Sequence, residues 1–234
     1  MKSKKVVVIG GTSGYGKGIA DFLSNCKYEV IKFGTSSSPK LDVTIEKDVI
    51  DRLKEIGEFD VLVYSAGLAV GKDYVSEKDN DHFKKVFDVN TIGLLTVLKH
   101  SFPYLKKSKG NFIHIGSIAH ELSYVGGADY CASKSASNTI MKTIRKEWLG
   151  TGIRTSSLEV GLGDTEFQAN RYNGDEEKAN KHTSGVRQIK PIDLGGIVSF
   201  ILVCPEYLNF DEVVLKPTDQ ASHGISVDNI KKQF

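Results

Sequence analysis

The sequence is short of the residues that mark disulfide-bonded, metal-binding or membrane-embedded proteins. Its 234 residues include three cysteines, five prolines and one tryptophan. The cysteines are odd in number, widely spread and form no C-x-x-C pair, which argues against a disulfide framework and against a zinc site. The basic Met1–Lys5 segment precedes only four apolar residues before Gly10, too few for a secretory signal, and no apolar run approaches a membrane span. We therefore expect a cytoplasmic protein with no metal and no membrane partner.

A large net charge of either sign is also missing. Lysine and arginine total 31 against 29 acidic residues, and the formal net charge is +2. This balance gives no electrostatic reason to expect a nucleic acid as a partner. Hydrophobic residues make up 40% and charged residues 26%, as in an ordinary globular domain that needs no disulfide to hold its core. These exclusions leave two classes of protein, an enzyme or a binding protein for small molecules.

Short β-branched runs alternate with longer segments of helical period along the chain. The expected strands are Val6–Ile9, Glu29–Phe33, a short third strand before Asp42, Asp60–Tyr64, Asn111–Ile115, Ile153–Glu159 and Asp211–Lys216. The expected helices are one from the glycine turn to about Cys26, then Glu46–Ile56, Asp79–Leu105, Tyr130–Leu149 and Asp193–Cys204. Such alternation is typical of a parallel sheet covered by helices. We predict a single α/β domain over residues 1–234, with a Rossmann-like, doubly wound, seven-stranded and mostly parallel sheet between helix layers.

A glycine-rich turn follows the first strand and opens the first helix. It runs from Gly10 to Gly16 with the spacing G-x-x-x-G-x-G. Glycines let the backbone approach a pyrophosphate, and the free N–H groups of the helix start attract that anion. A strand–helix turn without a ligand is the alternative, since short glycine motifs recur by chance.

A tyrosine and a lysine occur one helical turn apart, at Tyr130 and Lys134. They lie on one face of the expected helix, where the ammonium favours the phenolate form of the tyrosine. Such a tyrosine can give a proton to a carbonyl oxygen or take one from an alcohol. Ser117 follows the fifth strand, at the sheet edge where ligands of open α/β sheets bind. Taken alone, the pair is explained better by an exposed amphipathic face of a helix.

Together these motifs are similar in order and spacing to the short-chain dehydrogenase/reductase superfamily. The resemblance extends over nearly the whole chain and includes Asn90 in Asp88-Val89-Asn90. It implies a catalytic group of Asn90, Ser117, Tyr130 and Lys134. Tyr130 would be the acid or base, Lys134 would hold the nicotinamide ribose, Ser117 would orient the carbonyl, and Asn90 would anchor a water that relays protons to Lys134.

The same resemblance implies a set of residues that bind a dinucleotide. Asp42 and Val43 would contact adenine, Ala66 and Gly67 would flank the adenosine ribose, and Thr165 would touch the nicotinamide side. The full expected set is Gly10, Thr12, Ser13, Gly14, Tyr15, Gly16, Thr35, Ser36, Ser37, Asp42, Val43, Ser65, Ala66, Gly67, Tyr130, Lys134, Gly161 and Thr165.

The end of the second strand bears on the choice between NADP and NAD. NAD enzymes commonly end this strand with an acid that binds the ribose 2′-hydroxyl. Here no acid follows Phe33 before Asp42, while Thr35, Ser36 and Ser37 offer hydroxyl donors and Lys40 offers positive charge. We expect NADP(H) to be preferred, with NAD(H) possible.

The carboxy-terminal third resembles one subfamily, the NADP-dependent 3-hydroxy acid dehydrogenases, which oxidise serine or allo-threonine and reduce short semialdehydes. The matching segments are Tyr124–Gly127, Gly161–Phe167, Arg171–Asp175 and Val213–Gln220. Residues 166–190 would form a mobile lid over the reacting carbonyl. Within it, Arg171 could hold a substrate carboxylate, or it could be a surface arginine in a solvated loop.

Several positions depart from the family pattern. The usual Asn-Asn-Ala-Gly is Tyr64-Ser65-Ala66-Gly67, and the usual Pro-Gly is Val160-Gly161. Ser117 is followed by His120, which could face the substrate or the solvent. The segment from Phe33 to Asp42 is too short for the usual helix before a third strand. We expect Ser117, His120 and Arg171 to bind the substrate, and its identity stays open.

The leading hypothesis is hydride transfer between NADPH and a small polar carbonyl compound. One alternative is a tailoring reductase of the same family acting on a sugar or another biosynthetic intermediate. Another, from a different class, is a non-catalytic dinucleotide-binding sensor or scaffold. The family resemblance also implies a homodimer or homotetramer, in which the two long helices pack across two-fold axes.

Overall fold

A six-stranded parallel sheet forms the centre of the protein. The computed structural model describes residues 3–222 and the backbone of residues 225 and 226. The strands are β1 (Lys5–Ile9), β2 (Glu29–Phe33), β3 (Val61–Tyr64), β4 (Asn111–Ile115), β5 (Arg154–Val160) and β6 (Glu212–Leu215), in the order β2-β1-β3-β4-β5-β6. A separate antiparallel pair consists of β7 (Gln220–Ser222) and β8 (Ile225–Ser226). The Rossmann-like architecture is thereby confirmed.

Helices cover both faces of the sheet. They are α1 (Gly14–Asn25), α2 (Glu46–Ile56), α3 (Asn80–Phe87), α4 (Gly93–Ser108), α5 (Ala128–Glu147), α6 (Phe167–Arg171), α7 (Glu176–Thr183) and α8 (Pro191–Val203). Helices α1 and α8 pack on one face, and α2, α4 and α5 pack on the other. In β1, Val6 and Val8 face the first layer while Val7 and Ile9 face the second, so an unbroken apolar run is buried on both sides. Within the described part of the chain, no helix is both long and apolar enough to cross a membrane.

The strand expected before Asp42 is not formed, so the main sheet has six strands rather than seven. The Leu41 N–H donates to the Gly34 carbonyl at 3.2 Å, and the Ser37 hydroxyl donates to carbonyls of the same segment. These bonds fold the segment into a loop. Leu41 and Val43 still bury their side chains in the core, but β2 stays at the sheet edge. The expectation that no helix fits between Phe33 and Asp42 is confirmed.

The long helix expected over Asp79–Leu105 is interrupted in its middle. Helix α3 runs into a π-helical turn at Asp88–Ile92 before α4 begins. Such turns insert an extra residue into a helix and often occur at functional sites. Here the turn carries Asn90, whose side chain is buried against the carboxyl end of β3.

Candidate active site

Two clefts meet at Gly10 and Gly67, along the carboxyl ends of the parallel strands. The inner cleft brings together twelve of the expected site residues: Gly10, Ser13, Gly14, Tyr15, Ser65, Gly67, Ser117, Tyr130, Lys134, Gly161, Thr165 and Arg171. The outer cleft is lined by six: Gly10, Thr35, Asp42, Val43, Ala66 and Gly67. Six others line neither cleft: Thr12, Gly16, Ser36, Ser37, Asn90 and His120. The clefts lie where open α/β sheets bind ligands.

The glycine turn has the shape of a phosphate cradle. Gly10 has φ +79°, and a Cβ there would lie 2.5 Å from the Ala66 backbone nitrogen. A Cβ on Gly16 would collide with the Gly10 carbonyl, so this glycine lets α1 pack against the turn. Ser13 precedes α1 without a side-chain capping bond, and the first turn of the helix contains no acid. The helix start thus offers uncapped N–H groups toward the inner cleft, as a pyrophosphate requires.

The hydroxyl groups expected near the adenosine are engaged in different ways. Ser36 donates to Thr12 Oγ1 at 3.3 Å, so these two residues lie together beside the turn. The Ser37 hydroxyl also accepts from the Gly34 N–H at 3.0 Å, in addition to the carbonyls to which it donates. Lys40 lies 3.9 Å from an Asp42 carboxylate oxygen, which partly balances its charge. Of the expected residues Thr12, Thr35, Ser36 and Ser37, Thr35 lines the outer cleft.

Ser117, Tyr130 and Lys134 line one wall of the inner cleft. All three are buried, with exposed fractions of 7%, 8% and 5%. Lys134 Nζ lies 5.8 Å from the centre of the Tyr130 ring and donates to the Ile115 carbonyl at 3.3 Å. Ser117 lies two residues beyond the end of β4 and caps a short 3₁₀ turn, where its hydroxyl accepts from the Ala119 N–H at 3.2 Å. The helix thus presents phenol and ammonium on one side, with the hydroxyl at the strand end.

Both polar atoms of the Asn90 side chain form hydrogen bonds within the protein. Its oxygen accepts from the Leu68 N–H at 2.8 Å, and its nitrogen donates to the Leu68 carbonyl and to Ser133 Oγ, both at 2.9 Å. These bonds join the π-helical turn to the end of β3 and to α5. A Cβ on Gly67 would lie 3.7 Å from both Asn90 Oδ1 and Lys134 Nζ, so this glycine stands between them. The role of Asn90 in a proton relay stays a prediction.

Arg171 is a buried cation at the inner cleft, with an exposed fraction of 3%. Its guanidinium carbon lies 5.0 Å from the Tyr130 ring centre, 5.4 Å from that of Phe167 and 5.7 Å from that of Tyr124. It donates to the Tyr124 hydroxyl at 2.9 Å and to Gln168 at 3.4 Å. Its Nε atom is buried and has no partner among the described residues. The alternative of a solvated surface arginine is therefore wrong.

His120 does not line the inner cleft, contrary to its expected contact with the substrate. Its Nδ1 lies 2.9 Å from the Ser117 carbonyl and 3.3 Å from Glu159 Oε2, and its Nε2 lies 3.2 Å from Glu212 Oε1. The two carboxylates attract the imidazole away from the cleft. Its side chain is 10% exposed, so the solvent alternative does not hold either.

The sequence analysis did not identify Glu159, whose carboxylate supports the backbone of Ser117. This glutamate is 1% exposed and accepts a hydrogen bond from the Ser117 N–H at 2.7 Å. It is also the only acid in β5, a strand buried throughout. An acid inside such a strand is unusual, because a buried charge needs partners, and that anomaly was the available signal.

Burial keeps several ionisable groups of the cleft neutral. It raises the pKa of Tyr15, and nearby Tyr130 raises it further. It also raises the pKa of Tyr124, although Arg171 opposes the shift. The pKa of the Cys131 thiol is raised by burial as well, which removes the thiolate that a nucleophile would need.

A doubly wound sheet that places a glycine turn, a tyrosine and a lysine along one cleft defines a dehydrogenase of the Rossmann type. The family model described as short chain dehydrogenase matches residues 4–176. The chain belongs to this family of oxidoreductases, and the resemblance found in its motifs is confirmed.

Two curated relatives match along almost their whole length. An NADP-dependent 3-hydroxy acid dehydrogenase of Schizosaccharomyces pombe is 31% identical, over 94% of this chain and 95% of its own. A serine 3-dehydrogenase of Rhizobium radiobacter is 28% identical, over 96% and 98%. Among solved structures, the closed form of serine dehydrogenase complexed with NADP+ superposes with a TM-score of 0.89, at 27% identity over 95% and 98%.

Proposed function

We propose that this protein transfers hydride between NADP(H) and a small carboxylated substrate, a 3-hydroxy acid or the corresponding carbonyl compound. The buried Arg171 beside Tyr130, whose Nε has no partner among the described residues, is the observation that carries the proposal. The names of the two curated relatives agree with it. The hydrogen bonds of this cation to described residues go to two neutral groups, on Tyr124 and Gln168, whereas a carboxylated substrate would bring a counter-charge.

The two clefts fit an NADP-sized cofactor. The glycine turn and the start of α1 would hold the pyrophosphate, and Asp42, Val43 and Ala66 would surround the adenosine. Thr35 and Lys40, with no free acid between them, would accept the 2′-phosphate. When bound, the nicotinamide supplies or accepts the hydride. The NADP complex of the similar serine dehydrogenase supports this placement.

Three residues of the inner cleft would bind the reacting oxygen of the substrate and control the transfer of its proton. Tyr130 would donate its phenolic proton to the carbonyl oxygen in reduction and remove the hydroxyl proton in oxidation. Lys134, on the same face of α5, would stabilise the phenolate and bind the nicotinamide ribose. Ser117 would donate a hydrogen bond to the same oxygen and so fix its orientation. Asn90 would complete the path by which a proton reaches Lys134.

The substrate carboxylate would pair with the guanidinium group of Arg171. Guanidinium groups bind carboxylates through paired N–H donors, and the buried Nε–H is such a donor. The aromatic rings of Tyr124 and Phe167 exclude water around the cation, which strengthens an ionic hydrogen bond. Because Arg171 also lies over Tyr130, a bound carboxylate would be only a few bonds from the reacting carbon, as in a three-carbon or four-carbon acid.

Absorbance of NADPH, followed across a substrate panel, tests the proposal. The panel contains serine and allo-threonine, short semialdehydes with a carboxylate, neutral aldehydes of equal length, and keto-sugars. We expect turnover of the carboxylated compounds, with NADP(H) used better than NAD(H). Preference for keto-sugars would contradict the proposal in favour of a tailoring reductase. Tight cofactor binding without turnover of any compound would favour a sensor.

We also propose a cytoplasmic homo-oligomer. Apolar side chains are exposed around α8 and the edge strand β6, with Phe200 at 57%, Val203 at 70%, Tyr207 at 91% and Val214 at 50%. Clustered exposed apolar groups favour association between chains. Light scattering at the elution peak would distinguish a dimer or tetramer from a monomer.

A further inference from the structure

A buried carboxylate holds the backbone of Ser117 from behind the inner cleft. Glu159 Oε2 accepts from the Ser117 N–H at 2.7 Å, while Oε1 accepts from Ser157 Oγ at 2.6 Å and Asn138 Nδ2 at 3.0 Å. A Cβ on Gly116 would collide with this carboxylate, so the strand end is shaped around it. Every one of these neighbours donates a hydrogen bond, and the two carboxylate oxygens accept all three.

His120 lies between Glu159 and a second carboxylate. Its Nδ1 faces Glu159 and the Ser117 carbonyl, and its Nε2 faces Glu212. Glu212 in turn lies 3.1 Å from Lys142 Nζ and is 27% exposed. Each ring nitrogen thus has a carboxylate beside it. A chain of polar contacts therefore runs from Lys142 at the surface to the backbone of Ser117.

A metal ion would fit these three side chains less well. His120, Glu159 and Glu212 bring their ligand atoms within 4.8 Å of one another. A single ion would have to contact one histidine nitrogen and both carboxylates. Here each nitrogen faces a different carboxylate, so the ring itself occupies the space between them. That geometry is one of ion-pair contacts rather than of coordination.

We propose that Glu159 is a positioning residue for the reaction, and that His120, which lies between the carboxylates of Glu159 and Glu212, holds it in place. Through the Ser117 N–H and carbonyl, the pair fixes the serine hydroxyl relative to Tyr130. The inference rests on the proposed role of Ser117 in orienting the substrate oxygen. It also assigns to His120 a function other than contact with the substrate.

The test compares Glu159→Gln in the native chain and in a Ser117→Ala background. The glutamine keeps the shape and loses the charge. We expect kcat to fall roughly 10- to 100-fold in the native background, since a positioning error of about 1 Å can cost about 100-fold, while NADPH affinity is unchanged. In the Ser117→Ala background the same change has no further effect on kcat. An equal fall in both backgrounds, or no fall in the native one, overturns the proposal. Full turnover by Ser117→Ala alone overturns the proposed function as well.

Glu212→Gln provides a second test, because this residue is partly exposed and its replacement is tolerated more easily than a core change. We expect a roughly threefold to tenfold fall in kcat, abolished again in Ser117→Ala. The exposed Glu206→Gln is the matched control and leaves kcat unchanged. His120→Gln with Glu159→Gln should be more active than His120→Gln alone, because the second change removes the buried carboxylate that the first leaves without the imidazole. Activity that is lost in EDTA and restored by Zn²⁺ overturns the assignment of His120 as a support for Glu159.

Discussion

Arg171→Met tests the proposed substrate class most directly. Methionine has a similar length and is apolar, so it can pack among the rings of Tyr124, Tyr130 and Phe167 while removing the cation. A hydrogen bond to a charged group contributes about 1.5–3 kcal/mol. At about 1.4 kcal/mol per factor of ten, its loss should raise KM for a carboxylated substrate about 10- to 150-fold. NADPH affinity should stay unchanged, because Arg171 lies at the substrate end of the cleft.

The assay compares kcat/KM for a carboxylated semialdehyde and for a neutral aldehyde of equal length. Arg171→Met should lower the first value and leave the second nearly unchanged. Arg171→Lys keeps the charge without the planar pair of donors and should give an intermediate result. Equal losses for both aldehydes would refute carboxylate recognition, since that pattern indicates a general disturbance of the cleft.

The matched control is Arg187→Met in the same segment of the chain. Arg187 is 81% exposed and pairs with Asp219, outside the inner cleft. The Arg187→Met change should leave the ratio of kcat/KM between the two aldehydes unchanged. The loss of the Arg171 bonds to Tyr124 and Gln168 should lower the free energy of unfolding by up to about 3 kcal/mol for each bond, and a thermal melt would separate this effect from binding.

Three further results are expected. Tyr130→Phe should abolish turnover yet bind NADPH normally in a fluorescence titration, whereas Lys134→Ala should impair both; full turnover by the phenylalanine variant would exclude Tyr130 as the acid. Thr35→Asp should weaken NADPH binding more than about tenfold with little effect on NADH, because an acid repels the 2′-phosphate; an equal effect on both would exclude this site. Desolvation holds the pKa of His114 well below 6.5, so unfolding should become easier as the pH falls below 6.5, where the unfolded chain takes up the proton. His114→Gln should flatten that slope in urea denaturation, and an unchanged slope would contradict the assignment.

Local spacing was enough to predict much of the fold and of the inner cleft. The apolar run of β1 indicated burial on both faces, and the glycine spacing indicated a strand–helix turn that the structure contains. The four-residue interval between Tyr130 and Lys134 fixes them on one face of a helix, whatever surrounds that helix. Ser117 was located by its place at a strand end. Each of these inferences depends on residues close together in the chain.

One error concerns contacts between residues far apart in the chain, and the other concerns hydrogen bonds within a short loop. The direction of His120 depends on Glu159 and Glu212, which only the parallel pairing of β5 and β6 brings beside the end of β4. The missing third strand depends on hydrogen bonds that Ser37 makes within its own loop, which compete with sheet pairing. Neither contact has a periodic pattern that could reveal it in the sequence.

The chain between β5 and α8 explains how Arg171 can be buried while its hydrogen bonds to described residues go to neutral groups. Two backbone hydrogen bonds join the two ends of this segment. The Ile189 N–H donates to the Leu162 carbonyl at 3.0 Å, and the Asp164 N–H donates to the Ile189 carbonyl at 2.9 Å. Further along, the Gly71 N–H donates to the Arg171 carbonyl at 2.9 Å, so the backbone of α6 is held independently of the guanidinium. A buried charge costs stability unless it is paired. Backbone hydrogen bonds that fix α6 can offset this cost and keep the cation beside Tyr130. A substrate carboxylate would then bind a donor that is already in place, rather than one that must first be ordered.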